Sequence, residues 1–191
     1  MLEKVFETYK DIYLKIVDSF YPSLGSTGFQ ERNLTVNFSK AYEKTFENEM
    51  VFSWFELQFG ENKDNHFDCV IVNQSKKEIY FVESKRFTNT TSKTASIRHD
   101  VKRIQDYVDK DFSIDERFDK FKEFKVYGLI LADIWLENNK KIAVYDRFIN
   151  KTFFNDVTEL LNKSCDYKVI DFKIKRCEAK YALLSFLWTA E

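Results

Sequence analysis

Hydrophobic residues near the start of the chain recur at the spacing of an α-helix. The first group comprises Leu2, Val5, Phe6, Tyr9, Ile12, Ile16, Val17 and Phe20. This spacing predicts an amphipathic helix over residues 2–20 that ends before Pro22 and Gly25. A second helix, from about Phe29 to about Glu47, is predicted by a second stripe of apolar residues. That stripe consists of Leu34, Phe38, Ala41, Tyr42 and Phe46.

The period of the pattern then changes to two, which is typical of β-strands. Met50–Phe59 is rich in aromatic and β-branched residues and predicts a strand. A polar turn at 60–65 separates it from a second strand at His66–Asn73, and Gln74–Lys77 leads to a third at Glu78–Phe87. Because connections this short join antiparallel neighbours, we expect the three strands to form an antiparallel meander.

A polar loop, a helix and a buried strand follow the meander. The loop is Thr88–Thr94, and Ala95–Lys110 predicts a helix with an apolar stripe. Lys125–Leu136 is a nearly continuous apolar run, which suits a strand buried on both faces. The stripe of the helix consists of Ile97, Val101, Ile104 and Val108.

The final third of the chain has a weaker pattern. Residues 141–163 favour helix, and Tyr167–Ile174 favours a strand. Ala182–Trp188 suits either a strand or a closing helix. The order of elements predicts an α/β fold, with a mixed sheet flanked by helices.

The composition indicates a single domain with an aromatic core. The chain has 191 residues, including 20 Phe and 10 Tyr, but only one Pro and four Gly. It contains no apolar run of the roughly 18 residues that cross a membrane, and its first residues do not resemble a signal peptide. Cys69, Cys165 and Cys177 are too few and too far apart to indicate a disulfide framework or a zinc site. We therefore expect a cytoplasmic protein that does not contact a membrane.

The net charge of −1 excludes a protein that coats nucleic acid through its overall charge. Any contact with nucleic acid would need a local patch, and residues 76–103 are the candidate. A solvated surface of mixed charge explains this segment equally well. Its basic residues are Lys76, Lys77, Lys85, Arg86, Lys93, Arg98, Lys102 and Arg103.

The third strand carries the candidate chemistry. Its alternation places Glu83 and Lys85 on the face that begins with Ile79 and Phe81. A buried charge is costly unless it is paired or bound to a metal. The preceding strand offers Asp68, which alternation places on one face with Val70 and Val72. In an antiparallel hairpin Asp68 and Glu83 become neighbours, so two carboxylates and an ammonium group converge. Such a set suits phosphodiester hydrolysis assisted by a divalent cation.

Asp68, followed after fourteen residues by Glu83-Ser84-Lys85, resembles the motif of the PD-(D/E)XK nucleases. The resemblance covers residues 28–136 and implies a restriction-endonuclease-like mixed sheet with an antiparallel meander. It implies that Asp68, Glu83 and the carbonyl of Ser84 bind Mg²⁺ or Mn²⁺, and that Lys85 is catalytic. Phe67 stands where the family's proline would be. Residues 1–24 would form a helical appendage and 137–191 an extension of the core.

Many members of this family carry a glutamate at the start of the first core helix. Glu31 is the candidate here, with Glu43 and Glu47 as alternatives on the same helix. Glu31 would equally suit the positive end of the helix dipole. The family often offers polar residues from the next helix as well. Arg98, Lys102 and Gln105, together with Arg86, are the candidate contacts to nucleic acid, although a solvated helix face explains the first three too.

The expected function is a Mg²⁺-dependent deoxyribonuclease that acts on DNA, either alone, as a homodimer or as a subunit of a larger system. The alternative is a catalytically silent nuclease-fold protein that binds nucleic acid or a protein partner. His66 is interpreted as a residue at the start of a strand, because no second ligand has zinc spacing. Asp133 is expected to hydrogen-bond or cap. Trp54, Trp135 and Trp188 are expected in the core.

Overall fold

The computed structural model describes residues 2–20, 31–60, 65–87, 90–136, 139–150, 152–173 and 180–190. The helices are α1 (Glu3–Phe20), α2 (Glu31–Thr45), α3 (Thr90–Lys110), α4 (Asn139–Ile149) and α5 (Thr152–Leu161), with a 3₁₀ turn at Glu116–Phe121. The strands are β1 (Val51–Gln58), β2 (His66–Asn73), β3 (Glu78–Arg86), β4 (Lys125–Trp135), β5 (Cys165–Lys173) and β6 (Lys180–Thr189). The predicted break at Pro22 and Gly25 lies outside the described residues, as does Phe29.

The six strands form one mixed sheet in the order β1-β2-β3-β4-β6-β5. The predicted antiparallel meander of β1, β2 and β3 is confirmed. After α3 crosses one face, β4 returns parallel to β3. β6 then pairs antiparallel with both β4 and β5, so the alternative of a closing helix at Ala182–Trp188 is wrong. The α/β class with a helix-flanked mixed sheet is therefore confirmed.

Each face of the sheet has its own hydrophobic core. One core packs α1 and α2 against the sheet, with Phe6 of α1 and Phe38 of α2 in ring contact at 5.4 Å. The other core packs α3, α4 and α5 against the opposite face. β4 is buried on both faces, as its apolar run predicts. Of the predicted stripe on α3, Ile97, Val101 and Ile104 are fully buried.

The predicted start of α3 and the predicted burial of Trp54 are wrong. Helix α3 begins at Thr90, not at Ala95, so part of the expected loop is helical. The polar residues Thr90–Thr94 have modest helix propensity, which the packing of the following turns overrides. Trp54 is not in the core but 62% exposed, because it lies on the edge strand β1. Trp135 and Trp188 are buried as expected.

Among the described residues, no helix has the length and apolar character needed to cross a membrane.

Candidate functional site

The ladder between β2 and β3 ends before either strand does. Its last pair is Cys69 with Val82, although β2 begins at His66 and β3 continues to Arg86. Beyond this pair β2 stays with β1, and β3 stays with β4. We call the resulting opening, between residues 66–68 of β2 and 83–86 of β3, the fork. Every residue of the family-like motif lies at it.

At the fork, the edge of β3 no longer hydrogen-bonds to β2. Two carboxylates accept hydrogen bonds from its backbone N–H groups instead. Asp68 Oδ2 accepts hydrogen bonds from the backbone N–H of Ser84 at 2.7 Å and from Ser84 Oγ at 2.8 Å. Two residues further on, the N–H of Arg86 donates to Glu31 Oε1 at 3.0 Å. The N–H and C=O of one strand residue point to the same side, so the Ser84 carbonyl is directed into the fork between these carboxylates.

Glu31 reaches the fork because the first turn of α2 is attached to β3. Ser84 Oγ, whose proton is donated to Asp68, also lies 3.0 Å from the backbone carbonyl of Glu31, and Thr35 Oγ1 lies 3.1 Å from Ser84 Oγ. Thr35 and Ser84 are both buried, so this contact is shielded from water. As the first residue of α2, Glu31 also has the position that suits the helix dipole.

The two alternative glutamates of α2 do not share this position. Glu43 Oε1 accepts hydrogen bonds from Ser39 Oγ and Ser53 Oγ, towards the other end of β1. Glu47 lies beyond the end of the helix and is exposed. Of the three candidates, only Glu31 has a hydrogen bond to β3 among the described residues.

The expected face of Asp68 is corrected by the packing. Alternation predicts that Asp68 shares a face with Val70, but Phe67 packs in the same core as Val70, and Cys69 packs in the opposite core. The period of two is therefore broken at Asp68. Its neighbour across the ladder, Glu56, has a left-handed backbone with φ of 55°. The Asp68 carboxylate points along the sheet towards the Ser84 N–H instead of onto one face.

Glu83 and Lys85 project from β3 towards α3, where two further charged residues meet them. Arg103 Nη2 lies 2.5 Å from Glu83 Oε1, and Lys85 Nζ lies 2.8 Å from Asp100 Oδ2. Arg103 Nη2 also lies 3.3 Å from Asp100 Oδ1. The four charges thus alternate in sign, in a network in which Glu83 is 1% and Asp100 is 4% exposed.

Sequence reasoning missed Asp100 and assigned Arg103 only to a general basic patch. A usable indication was present, because Asp100 and Arg103 lie beside the core positions Ile97, Val101 and Ile104 on α3. Acidic and basic residues so close to an apolar stripe are rare unless they are paired. Their partners, however, depend on how α3 is placed over β3, which the sequence pattern does not determine.

The electrostatics of Glu83 favour an additional cation. Burial raises the pKa of Glu83 to about 8, and the nearby charge of Asp68 adds to the effect, while Arg103 and Lys85 oppose it. Its Oε1 is buried and makes an ion pair with Arg103 but no well-aligned hydrogen bond. Carboxylate and carbonyl oxygens are the ligands of hard divalent cations, so the donors at the fork suit Mg²⁺ or Mn²⁺.

Lys85 is held in its charged form by its partner. Burial lowers the pKa of Lys85, but the charge and hydrogen bonding of Asp100, together with the charges of Glu83 and Asp68, more than reverse this effect, and the pKa is raised overall. Asp100 therefore keeps Lys85 as an ammonium ion next to Glu83. A positive charge at this position can stabilise negative charge that develops on a bound phosphate.

A second cluster that the sequence did not indicate lies on the β1–β2 side of the fork. One ligand atom each from Glu56, His66 and Asp68 lies within 4.8 Å of the others. His66 Nε2 is 2.9 Å from Glu56 Oε2, and both side chains are partly exposed. His66 does begin a strand, as expected, but it also belongs to this group.

The four candidate contacts to nucleic acid have different surroundings. Arg98 forms an ion pair with Asp156 of α5. Gln105 Nε2 donates to the carbonyl of Ala190 at 2.7 Å, and Gln105 Oε1 accepts from Trp188 Nε1 at 3.1 Å. These two side chains therefore connect α3 to its neighbours.

The other two candidates lie closer to open surface. Lys102 is exposed and, with Arg103, lines a groove of ≈ 440 Å³ between α3 and the end of the β1–β2 hairpin. Arg86 is half-buried at the fork. Of the wider basic patch, Lys76 pairs with Glu49 and covers the ring of Phe46, and the side chain of Lys93 lies outside the described residues.

Asp133 hydrogen-bonds, as expected. It is buried on β4 and accepts a hydrogen bond from Tyr181 Oη at 2.5 Å. Burial raises the pKa of Asp133 to about 6, although the hydrogen bond from Tyr181 opposes the change.

No family model matches this chain, and no curated protein or solved structure matches it. The likeness to PD-(D/E)XK nucleases therefore depends on the motif residues and on their arrangement at the fork.

Proposed function

We propose that this protein is a metal-dependent deoxyribonuclease that hydrolyses phosphodiester bonds in DNA. The observation that carries the proposal is the arrangement at the fork. The Asp68 and Glu31 carboxylates accept the N–H groups of Ser84 and Arg86, so they lie on either side of the Ser84 carbonyl along the open edge of β3. The charge of Asp68 also raises the pKa of Glu83. Three carboxylates and a carbonyl border one opening. Among the described residues, these three carboxylates do not form a group with oxygens within 4.8 Å of one another, so side-chain rotation would bring them onto a single hard divalent cation.

The order of the elements supports a restriction-endonuclease-like fold within the α/β class. A helix, an antiparallel meander, a crossing helix and a parallel strand follow one another, and the fork lies within the meander. The same order is expected from the resemblance of the motif. Because a fold alone does not determine function, the proposal rests on the site and takes only support from the topology.

In this proposal Asp68, Glu83, Glu31 and the Ser84 carbonyl hold Mg²⁺ or Mn²⁺. When bound, such a cation lowers the pKa of a coordinated water and polarises a phosphate. Lys85, kept charged by Asp100, orients the attacking water or stabilises the charge that develops on the phosphate. Lys102 and Arg86 are the proposed contacts to the DNA backbone near the site, with Arg98 and Gln105 on the same helix as Lys102.

One observation favours a second candidate function. Arg103 forms an ion pair with Glu83, and Asp100 forms one with Lys85, so these buried charges have partners of opposite sign without a metal. A nuclease-fold protein that binds nucleic acid or a protein partner without cutting it would have the same network. The two candidates differ in one measurable property, which is cleavage.

The test is cleavage of supercoiled plasmid and of single-stranded circular DNA in the presence of Mg²⁺ or Mn²⁺. We expect metal-dependent cutting by the wild type and a loss of about 100-fold or more in Lys85→Ala. The matched control is Lys122→Ala, which removes an exposed lysine paired only with Asp119 among the described residues, and which should cut normally. A folded wild type that binds DNA but cuts neither substrate, or a Lys85→Ala variant that cuts as fast as the wild type, would refute the proposal.

A further inference from the structure

We infer that Glu56, His66 and Asp68 form a second cation site, selective for a transition metal of the zinc class. The site lies on the β2 side of the fork and shares Asp68 with the proposed catalytic metal site. The statement that this site adjoins a catalytic metal rests on the proposed function. The statement that the three residues bind a cation does not.

The register of β1 and β2 brings the three residues together. The pairs Phe55 with Cys69 and Leu57 with Phe67 bracket Glu56, which therefore lies opposite Asp68. His66 is two residues from Asp68 on the same strand. One ligand atom of each residue lies within 4.8 Å of the others. Bond lengths of about 2.0–2.2 Å to a tetrahedral zinc ion require ligand atoms about 3–4 Å apart.

Small side-chain rotations would close the remaining distance. The side chains of His66 and Glu56 are 43% and 46% exposed, so neither is locked by packing. Asp68 is held differently, because both hydrogen bonds from Ser84 end on Oδ2. Oδ1 therefore receives no hydrogen bond among the described residues. A carboxylate oriented through one oxygen by partners outside the cluster, with its other oxygen open, has the support typical of a metal ligand.

The chemistry of the donors determines which cation the site takes. Mg²⁺ prefers an all-oxygen octahedron, whereas imidazole nitrogen suits Zn²⁺ and other late transition metals. One imidazole and two carboxylates supply three protein ligands to a four-coordinate ion and leave one position open. The fork would thus offer an all-oxygen site at Asp68 and Glu83 and a mixed nitrogen–oxygen site at Asp68 and His66. The alternative is a plain ion pair between protonated His66 and Glu56.

The test is ¹⁵N NMR of the imidazole nitrogens at pH 8 during titration with Zn²⁺ or Mg²⁺. The full chain has two histidines, so the exposed His99 on α3 is an internal control. We expect Zn²⁺ to shift the His66 resonances and leave those of His99 in place, and a tenfold excess of Mg²⁺ to shift neither. Equal shifts of both histidines, or none, would overturn the inference.

Matched variants separate this site from the catalytic one. Glu56→Gln should weaken Zn²⁺ binding by at least about tenfold. Glu43→Gln, a glutamate that contacts hydroxyl groups on α2 and β1, should not change it, and Glu83→Gln should leave the His66 shift intact. Zinc affinity in Glu56→Gln equal to that of the wild type would overturn the inference. If Zn²⁺ shifts the His66 resonances but the protein cuts no DNA, the zinc site stands and the proposed nuclease activity is refuted. If the protein cuts DNA but His66 does not shift, the nuclease activity stands and the zinc site is refuted.

Discussion

The Asp68 carboxylate on β2 accepts the backbone N–H of Ser84 on β3 at 2.7 Å, at the point where the two strands part. The Glu31 carboxylate likewise accepts a hydrogen bond from the backbone N–H of Arg86, two residues further along β3. The divergence of the strands leaves two N–H groups without ladder partners, and buried N–H groups are almost always satisfied. The backbone itself therefore fixes two carboxylates at the edge of β3, beside the Ser84 carbonyl.

The role of Asp68 as a backbone acceptor predicts a difference between two substitutions. Asp68→Ala leaves the Ser84 N–H without its partner and should lower the free energy of unfolding by about 1–3 kcal/mol. Asp68→Asn retains an acceptor oxygen and should cost less, although both variants should lose divalent-cation binding. Urea unfolding and calorimetric metal titration measure the two effects. Equal destabilisation by Asn and Ala would show that the hydrogen bond is not what holds this residue.

The pairing of Arg103 with Glu83 predicts a coupled effect on stability. At about pH 9, above the pKa of Glu83, Arg103→Ala leaves the Glu83 carboxylate buried without its cation, and removal of one partner of a buried pair costs about 3–5 kcal/mol. Because the Arg103 side chain is 22% exposed, we expect the lower end of that range. Glu83→Gln combined with Arg103→Ala should cost less than the sum of the single changes in urea unfolding. Additive costs would contradict a direct interaction between these side chains.

The same variant also tests metal binding. If a cation binds beside Glu83, saturating Mg²⁺ should raise the melting temperature of Arg103→Ala by more than it raises that of the wild type, because the ion replaces the missing charge. An equal rise in the two proteins would indicate that the ion binds elsewhere.

Asp133 predicts a specific pH dependence of stability. Its pKa is about 6 in the folded protein and about 3.9 in an unfolded chain. The folded state therefore binds the proton more tightly, and the stability that this group contributes is complete below pH 4 and is lost as the pH rises through 6. Asp133→Asn keeps an acceptor for Tyr181 and removes the charge. It should exceed the wild type in unfolding free energy by about 3 kcal/mol at pH 8, and the gain should vanish near pH 4.

Chemical unfolding between pH 4 and pH 8 measures this effect. Asp18→Asn, on the exposed side of α1, is the control and should follow the wild type throughout. A gain from Asp133→Asn that is constant with pH would mean that ionisation of Asp133 is not its source.

Gly128 predicts a steric effect at the centre of β4. A Cβ atom at this position would lie 2.1 Å from Cζ2 of Trp188, which lies opposite Gly128 on β6. Trp188 is buried and bonded to Gln105, so it cannot move freely. Gly128→Ala should therefore lower stability by about 3 kcal/mol. Thermal unfolding measures the loss, and adding Trp188→Leu should recover part of it.

The meander was predictable from local sequence, because its alternation and short connections determine both strand and turn. The register also predicts that Asp68 and Glu83 lie at the same end of the hairpin, although the ladder ends one pair earlier, at Cys69 and Val82. The direction of the Asp68 carboxylate did not follow from that register, and neither did the left-handed backbone at the facing residue Glu56. Glycine or asparagine usually marks such a position, and glutamate gives no such indication.

Other features depend on tertiary arrangement that the pattern does not encode. The ion pairs of Asp100 and Arg103 depend on the placement of α3 over β3. The exposure of Trp54 depends on β1 being an edge strand, which no local pattern reveals. The Glu56–His66–Asp68 cluster has no zinc spacing in the sequence, because it joins two strands through their register.

The central claim is that a divalent cation binds at the fork between Asp68 and Glu83. A crystal soaked in Mn²⁺, with anomalous diffraction data, tests it most directly. We predict an anomalous peak within about 2.0–2.6 Å of a carboxylate oxygen of both residues and of the Ser84 carbonyl. A crystal saturated with Mn²⁺ that shows no ion in contact with both carboxylates would contradict the claim.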